Sequence, residues 1–287
     1  MSSALINKRV VTIYGRPEFD NLTKQSQTST IQDEGLYGMP VQILERIGSW
    51  VKIQTHYRYT GYVHRSDLKL LTQAEENAWK ANISQLRVII NPYADVLACP
   101  KVQGIRLRGL TRGALLTLVE TAKESGGWAK VKLNDGQEGY IKEGFLAPYF
   151  WEPSSKDENK LREKLVSTAK LYLGTQYRWG GKSSLGIDCS GLTSMAYLLN
   201  GIVIYRDATL KEGFPIHEIA FEDKKPGDLL YFPGHIAMYI GNQRYIHSTA
   251  HNGSDGVVIN SLNPEDPDYR EDLPKSLYAT GSYFTKS

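Results

Sequence analysis

The chain has 287 residues, 41% hydrophobic and 23% charged, and its 34 basic and 31 acidic side chains leave a net charge of +3. That length suggests two domains, or three small ones, and the ordinary apolar fraction excludes wholesale disorder. So small a charge gives no reason to expect a nucleic-acid partner, and the longest apolar runs, such as Met195–Leu199, span five residues where a membrane helix needs about 20.

The first residues, Met1 to Arg9, lack the apolar stretch of a secretory signal. The expected location is therefore the cytoplasm, or the periplasm if a leader has been trimmed. An internal repeat follows. Gly48-Ser49-Trp50-Val51-Lys52-Ile53 recurs as Gly126-Gly127-Trp128-Ala129-Lys130-Val131, at an offset of 78. Gly61-Tyr62-Val63 and Leu68 recur at the same offset as Gly139-Tyr140-Ile141 and Leu146. Between these landmarks apolar residues alternate, as short antiparallel strands require. The pattern resembles bacterial SH3-like domains and predicts two small β-barrels, over 1–72 and 73–150, with Trp50 and Trp128 filling their interiors. Cys99, in Val-Leu-Ala-Cys-Pro, reads as a buried small hydrophobe.

Past residue 150 the pattern changes to that of an α+β domain, expected over 151–287. Ser155 and Glu158 have capping-box spacing, and Leu161, Leu165, Ala169, Tyr172 and Leu173 recur at helical intervals until Gly174. A second helix is predicted from about Asp188, with Leu192, Met195, Ala196 and Leu199 on one face. Strands then follow at 229–232, 236–240 and 244–247, and the Pro- and acid-rich stretch 261–275 reads as a surface loop.

Cys189 falls at the start of the second predicted helix, where unpaired N–H groups and the helix dipole favour an anion. Thiolate is the nucleophilic form of cysteine, and it needs an imidazole to take its proton and return it to a leaving amine. His235 and His247 lie twelve apart across a hairpin whose turn centres on Gly241, which sets them opposite each other on one face. A register slip of one residue would separate them, so on pattern alone a Cys-His-His site competes with ordinary core residues.

Four segments carry a family resemblance: Tyr177-Arg178-Trp179-Gly180-Gly181, Ile187-Asp188-Cys189-Ser190-Gly191-Leu192, Pro226-Gly227-Asp228-Leu229 and Gly234-His235-Ile236-Ala237-Met238-Tyr239-Ile240-Gly241. In order and spacing they resemble the NlpC family of papain-like bacterial cysteine peptidases, over about residues 150 to 284. The resemblance implies that Cys189 is the nucleophile, His235 its base and His247 the group orienting the imidazole. With two SH3-like domains in front, the chain resembles the γ-D-glutamyl-L-diamino acid endopeptidases within that family. Those enzymes release L-Ala-γ-D-Glu from murein peptides that have lost their sugar, and in them the first SH3-like domain walls off the substrate cleft. The likeness assigns substrate binding to Glu34, Tyr59, Tyr177, Trp179, Asp188, Ser190, Arg206 and Asp207. It implies a murein-derived peptide as partner and no cofactor. Ala208 departs from the pattern, since a hydroxyl there would suit the D-Glu carboxylate; Thr209 is the nearest substitute.

Plainer roles compete for these residues. Tyr59 and Glu34 read alone as a barrel tyrosine and a solvated charge, Asp188 as a helix N-cap, and Arg206-Asp207 as a surface ion pair. If Asp188 binds substrate it should point away from the thiolate it would oppose. His247 and His251 have the spacing of helical zinc ligands, but Ser-Thr between them and Asn252-Gly253 after them indicate a loop, so no metal is expected. Two other functions share parts of this pattern: a wall-binding module with an inert last domain, and a papain-like amidase, acyltransferase or general wall endopeptidase.

Overall fold

The 78-residue repeat folds into two sheets with the same strand order. The computed structural model describes residues 2–20, 28–122 and 126–285. Strands β1 (Ser2–Ile6), β2 (Val10–Tyr14), β3 (Ile31–Leu36), β4 (Pro40–Ile47), β5 (Trp50–Thr55), β6 (Thr60–His64) and β7 (Leu68–Leu70) form the first. Strands β8 (Leu86–Ile89), β9 (Tyr93–Leu97), β10 (Arg106–Thr111), β11 (Leu115–Glu120), β12 (Trp128–Lys132), β13 (Glu138–Lys142) and β14 (Leu146–Pro148) form the second. Their orders are β3-β2-β6-β5-β4-β1-β7 and β10-β9-β13-β12-β11-β8-β14, with antiparallel neighbours. Trp50 and Trp128 open equivalent strands and are buried; Trp50 packs against Tyr14, Phe19 and His64, and the Lys142 ammonium lies over the Trp128 ring.

Both sheets belong to one unit, Met1–Tyr149. Tyr37, which follows β3, is fully buried among Val96, Leu110, Val131 and Ile141 of the second sheet, and its hydroxyl accepts from the Asn134 N–H at 2.8 Å. The Leu115 N–H donates to the Tyr37 carbonyl at 2.8 Å, and the Arg9 guanidinium to the Gly109 carbonyl at 2.8 Å. Gly38 makes this approach feasible: its φ is +79°, and a Cβ there would stand 2.2 Å from the Leu115 carbonyl oxygen.

Three sequence expectations in this unit and at its edge need revision. Between the sheets lies a helix, α1 (Gln73–Ala81), that the strand-oriented reading missed. Its signal is a capping box, Thr72 with Glu75, in which the Thr72 hydroxyl accepts from the Glu75 N–H and the Glu75 carboxylate accepts from the Thr72 N–H. The box expected at Ser155 and Glu158 does not form. Asp157 caps α2 (Glu158–Lys170) instead, accepting from the Lys160 N–H at 3.0 Å, while Glu158 pairs with Arg162. Cys99 is partly exposed rather than buried, because it sits in the turn beyond β9 and not in the strand.

The second unit, Phe150–Ser287, carries the helices. After α2 come β15 (Lys182–Ser183), β16 (Gly186–Ile187), α3 (Cys189–Leu198), β17 (His217–Ile219), β18 (Leu229–Phe232), β19 (His235–Gly241), β20 (Arg244–Thr249), β21 (Gly256–Ser261), α4 (Asp272–Ser276) and β22 (Ala279–Ser282). The sheet order is β17-β22-β18-β19-β20-β21. All ten residues of α3 are buried, so it is a central helix and not a one-faced one. Leu173 lies beyond the end of α2 and is 47% exposed, so the helical face stops at the buried Tyr172. The stretch 261–275 is less loop-like than expected, since Ser261 and Leu273 are buried and α4 begins within it. Asp228 of the Pro-Gly-Asp-Leu segment is structural: fully buried, it accepts from Arg162 at 2.9 Å and from the Ser282 hydroxyl at 2.7 Å.

Candidate active site

The start of α3 is built by close backbone packing. Asp188 is the N-cap, in extended conformation, and its Oδ1 accepts from the Gly191 N–H at 2.6 Å. Gly191 faces Gly181 so closely that a Cβ would stand 2.2 Å from the Gly181 carbonyl oxygen, which is the steric reason for glycine in Asp-Cys-Ser-Gly. The Ser248 hydroxyl donates to the Ile187 carbonyl at 2.6 Å, tying β20 to the segment that delivers Cys189.

Cys189 is 6% exposed. Burial pushes its thiol up to about 11, and the Asp188 carboxylate acts in the same direction against smaller opposing contributions from the Ile236 and Ser190 backbone and from Arg206. Burial thus opposes the thiolate that the helix terminus favours. Burial also lowers both histidines, His235 to about 4 and His247 to about 3, with the neighbouring His235 a second cause for His247. All three shifts run toward the neutral forms, a thiol beside neutral imidazoles. An imidazole in that state can accept the thiol proton, so both charges would appear together.

His235 Nε2 and His247 Nδ1 are 2.8 Å apart, and the rings meet edge-on. The hairpin register differs in detail from the expected one. The turn residues are Asn242 and Gln243, both with positive φ, and the strands pair Gly241 with Arg244 but Met238 with Ile246 across a bulge. The histidines are thus diagonal neighbours, not directly opposed. A two-residue offset preserves the face, as a one-residue slip would not. His247 Nε2 in turn lies 2.9 Å from Asn260 Oδ1 on β21, a functional residue that no signal within the β19–β20 hairpin points to. His251 is exposed in the loop after β20, apart from this arrangement.

Arg206 is not half of a surface ion pair. It is 2% exposed, donates to both Asp188 carboxylate oxygens at 3.0 Å and to the Ser190 hydroxyl at 2.7 Å. Asp188 is therefore both helix cap and partner to a buried guanidinium. Tyr177 bridges to Ile187, and burial raises its phenol, with the neighbouring Cys189 and Asp188 acting in the same direction. Trp179 is 64% exposed. Asp207 is half-buried and hydrogen-bonded by Tyr205. On the first unit Glu34, at 4% exposure, is buried rather than solvated, while Tyr59 is half-buried.

If His247 orients His235, His247→Ala should lower kcat by about 100-fold, the low end for a positioned acid–base group, with KM little changed. His251→Ala should be close to neutral. A damaging His251→Ala beside a harmless His247→Ala would assign the wrong histidine.

Comparison with known proteins extends the picture. The NlpC/P60 family matches residues 174–269, and the bacterial SH3 domain matches residues 23–69. Over 284 residues the chain is 42% identical to Dipeptidyl-peptidase 6 of Lysinibacillus sphaericus, covering 98% of this chain and 100% of that one. It is 28% identical over 240 residues to the Gamma-D-glutamyl-L-lysine dipeptidyl-peptidase of Bacillus cereus (strain ATCC 10987 / NRS 248), covering 78% of this chain and 68% of that one. The crystal structure of an NlpC/P60 family protein from Bacillus cereus ATCC 10987 superposes with a TM-score of 0.77 at 23% identity, over 98% of this chain and 99% of that one, and shares the fold.

Proposed function

Since the chain belongs to the NlpC/P60 family and is a cysteine peptidase, we propose that it hydrolyses the γ-D-glutamyl-diamino acid bond of murein-derived peptides with a free N-terminal L-Ala, releasing L-Ala-γ-D-Glu in cell-wall peptide recycling. The observation that carries the chemistry is the hydrogen-bonded His235–His247 pair in the same unit as a cysteine at a helix start. The substrate class rests on the names of the relatives, which are dipeptidyl-peptidases, one of them specified as γ-D-glutamyl-L-lysine.

In this reading the Cys189 thiol passes its proton to His235 and attacks the γ-carbonyl carbon of D-Glu. The tetrahedral intermediate collapses as His235 protonates the leaving amine of the diamino acid. Water, deprotonated by His235, then cleaves the thioester and restores the thiol. Arg206, Asp188 and Ser190 would shape the dipeptide end of the site together with Tyr177 and Trp179. The ammonium of L-Ala requires an anionic partner, for which Asp207 is the proposed carboxylate.

Product analysis by mass spectrometry on two substrates tests the proposal. Free L-Ala-γ-D-Glu-diamino acid tripeptide should yield the dipeptide, and intact sacculi should yield no soluble fragments. Fragments from sacculi would replace it with a general wall endopeptidase whose SH3-like domains grip the wall.

A further inference from the structure

The hydrogen-bond chain that begins at His235 does not end at His247. Asn260 is 5% exposed on β21, where Tyr245 pairs with Asn260 and His247 with Val258, so Asn260 is a diagonal, same-face neighbour of His247. Its amide nitrogen donates to the Asp268 backbone carbonyl at 2.6 Å, and its Oδ1 lies 2.9 Å from His247 Nε2.

A backbone carbonyl can only accept, so the Asp268 oxygen decides which end of the amide faces it. The end facing His247 is then an oxygen, and it too can only accept. His247 Nε2 must carry a hydrogen. In a neutral imidazole the other nitrogen, His247 Nδ1, is then a lone pair, and it faces His235 Nε2 at 2.8 Å. That nitrogen must therefore carry a hydrogen as well, which leaves His235 Nδ1 unprotonated. The far end of the chain is itself held: Arg244 pairs with the Asp268 carboxylate, Ser261 donates to Asp266 at 2.6 Å, and Ser261 bridges to Tyr269. The Pro- and acid-rich stretch after β21 thus anchors one carbonyl in place.

We propose that Asn260 is a positioning residue, which, fixed by the Asp268 carbonyl, sets the tautomers of His247 and His235 so that His235 Nδ1 is the nitrogen that takes the Cys189 proton. The proposal rests on the catalytic assignment of Cys189, His235 and His247. Its primary readout is independent of activity, so the two fail separately.

Long-range proton–nitrogen correlation NMR on the nitrogen-15-labelled full chain at neutral pH reads the tautomers directly. Both His247 and His235 should be protonated at Nε2. Asn260→Leu removes the acceptor, and should mix the His247 tautomers and lower kcat about 10- to 100-fold, the usual cost of losing a partner that orients a functional histidine, with KM within about twofold. Asn260→Asp keeps an acceptor for His247 Nε2 but gives up the amide donor to the Asp268 carbonyl, so it should retain the hydrogen on Nε2 and recover part of the lost kcat. A wild-type His247 protonated at Nδ1 overturns the proposal, as does an Asn260→Leu protein with unchanged tautomers and kcat. If Asn260→Leu does not fold, the wild-type spectrum and the Asn260→Asp kcat still decide.

Discussion

Cys189→Ala should lose hydrolysis on the order of 10⁶-fold in kcat, as removal of a catalytic nucleophile does elsewhere, and leave the fold in place. Nothing else near the start of α3 offers a replacement nucleophile in the right chemistry: Ser190 has its hydroxyl held by Arg206 at 2.7 Å, and Thr193 is turned back onto the helix carbonyls of Ser190 and Cys189. Losing one buried sulfur removes little packing, so Tm should fall by a few degrees at most. Cys99→Ala is the control. That residue is partly exposed on the first unit, and its loss should leave most activity intact. Equal losses from both substitutions would remove Cys189 from its role as sole nucleophile.

Much of this molecule can be read from the chain because the signals are local or repeated. The 78-residue repeat gives the sheets, since each landmark occupies an equivalent strand: Trp50 and Trp128, Tyr62 and Tyr140, Leu68 and Leu146. Asp-Cys-Ser-Gly gives the helix start because cap, nucleophile and close-packed glycine are adjacent in sequence.

What escaped depends on distant partners. Arg206 looks like a surface residue beside Asp207, but its partner is Asp188, 18 positions earlier, and only the fold reveals a buried guanidinium. Asn260 acquires meaning from a third strand and a carbonyl beyond it. The histidine register depends on a bulge that no alternation pattern marks. A helix terminus is legible in sequence, whereas the burial that raises the Cys189 thiol and lowers both histidines is a property of the packed unit.

The second large effect concerns the substrate's amino terminus. A free L-Ala amine is a cation at neutral pH, and enclosing it requires an anionic partner. An N-acetyl group removes that charge, adds volume and would leave the carboxylate proposed to receive the ammonium without a partner. Breaking one side of an enclosed charge pair costs about 3–5 kcal/mol. Each factor of ten in kcat/KM corresponds to about 1.4 kcal/mol, so the loss should be at least about 100-fold. Peptide still joined to glycan makes the same change on a larger scale, because its alanine nitrogen is an uncharged amide carrying a sugar acid.

The most direct measurement is therefore kcat/KM for L-Ala-γ-D-Glu-diamino acid tripeptide beside its N-acetyl form, with the released L-Ala-γ-D-Glu quantified. The free peptide should be cleaved at least about 100-fold more efficiently. Comparable values for the two would contradict recognition of a free amino terminus, and with it the assignment to dipeptide release from recycled murein peptides.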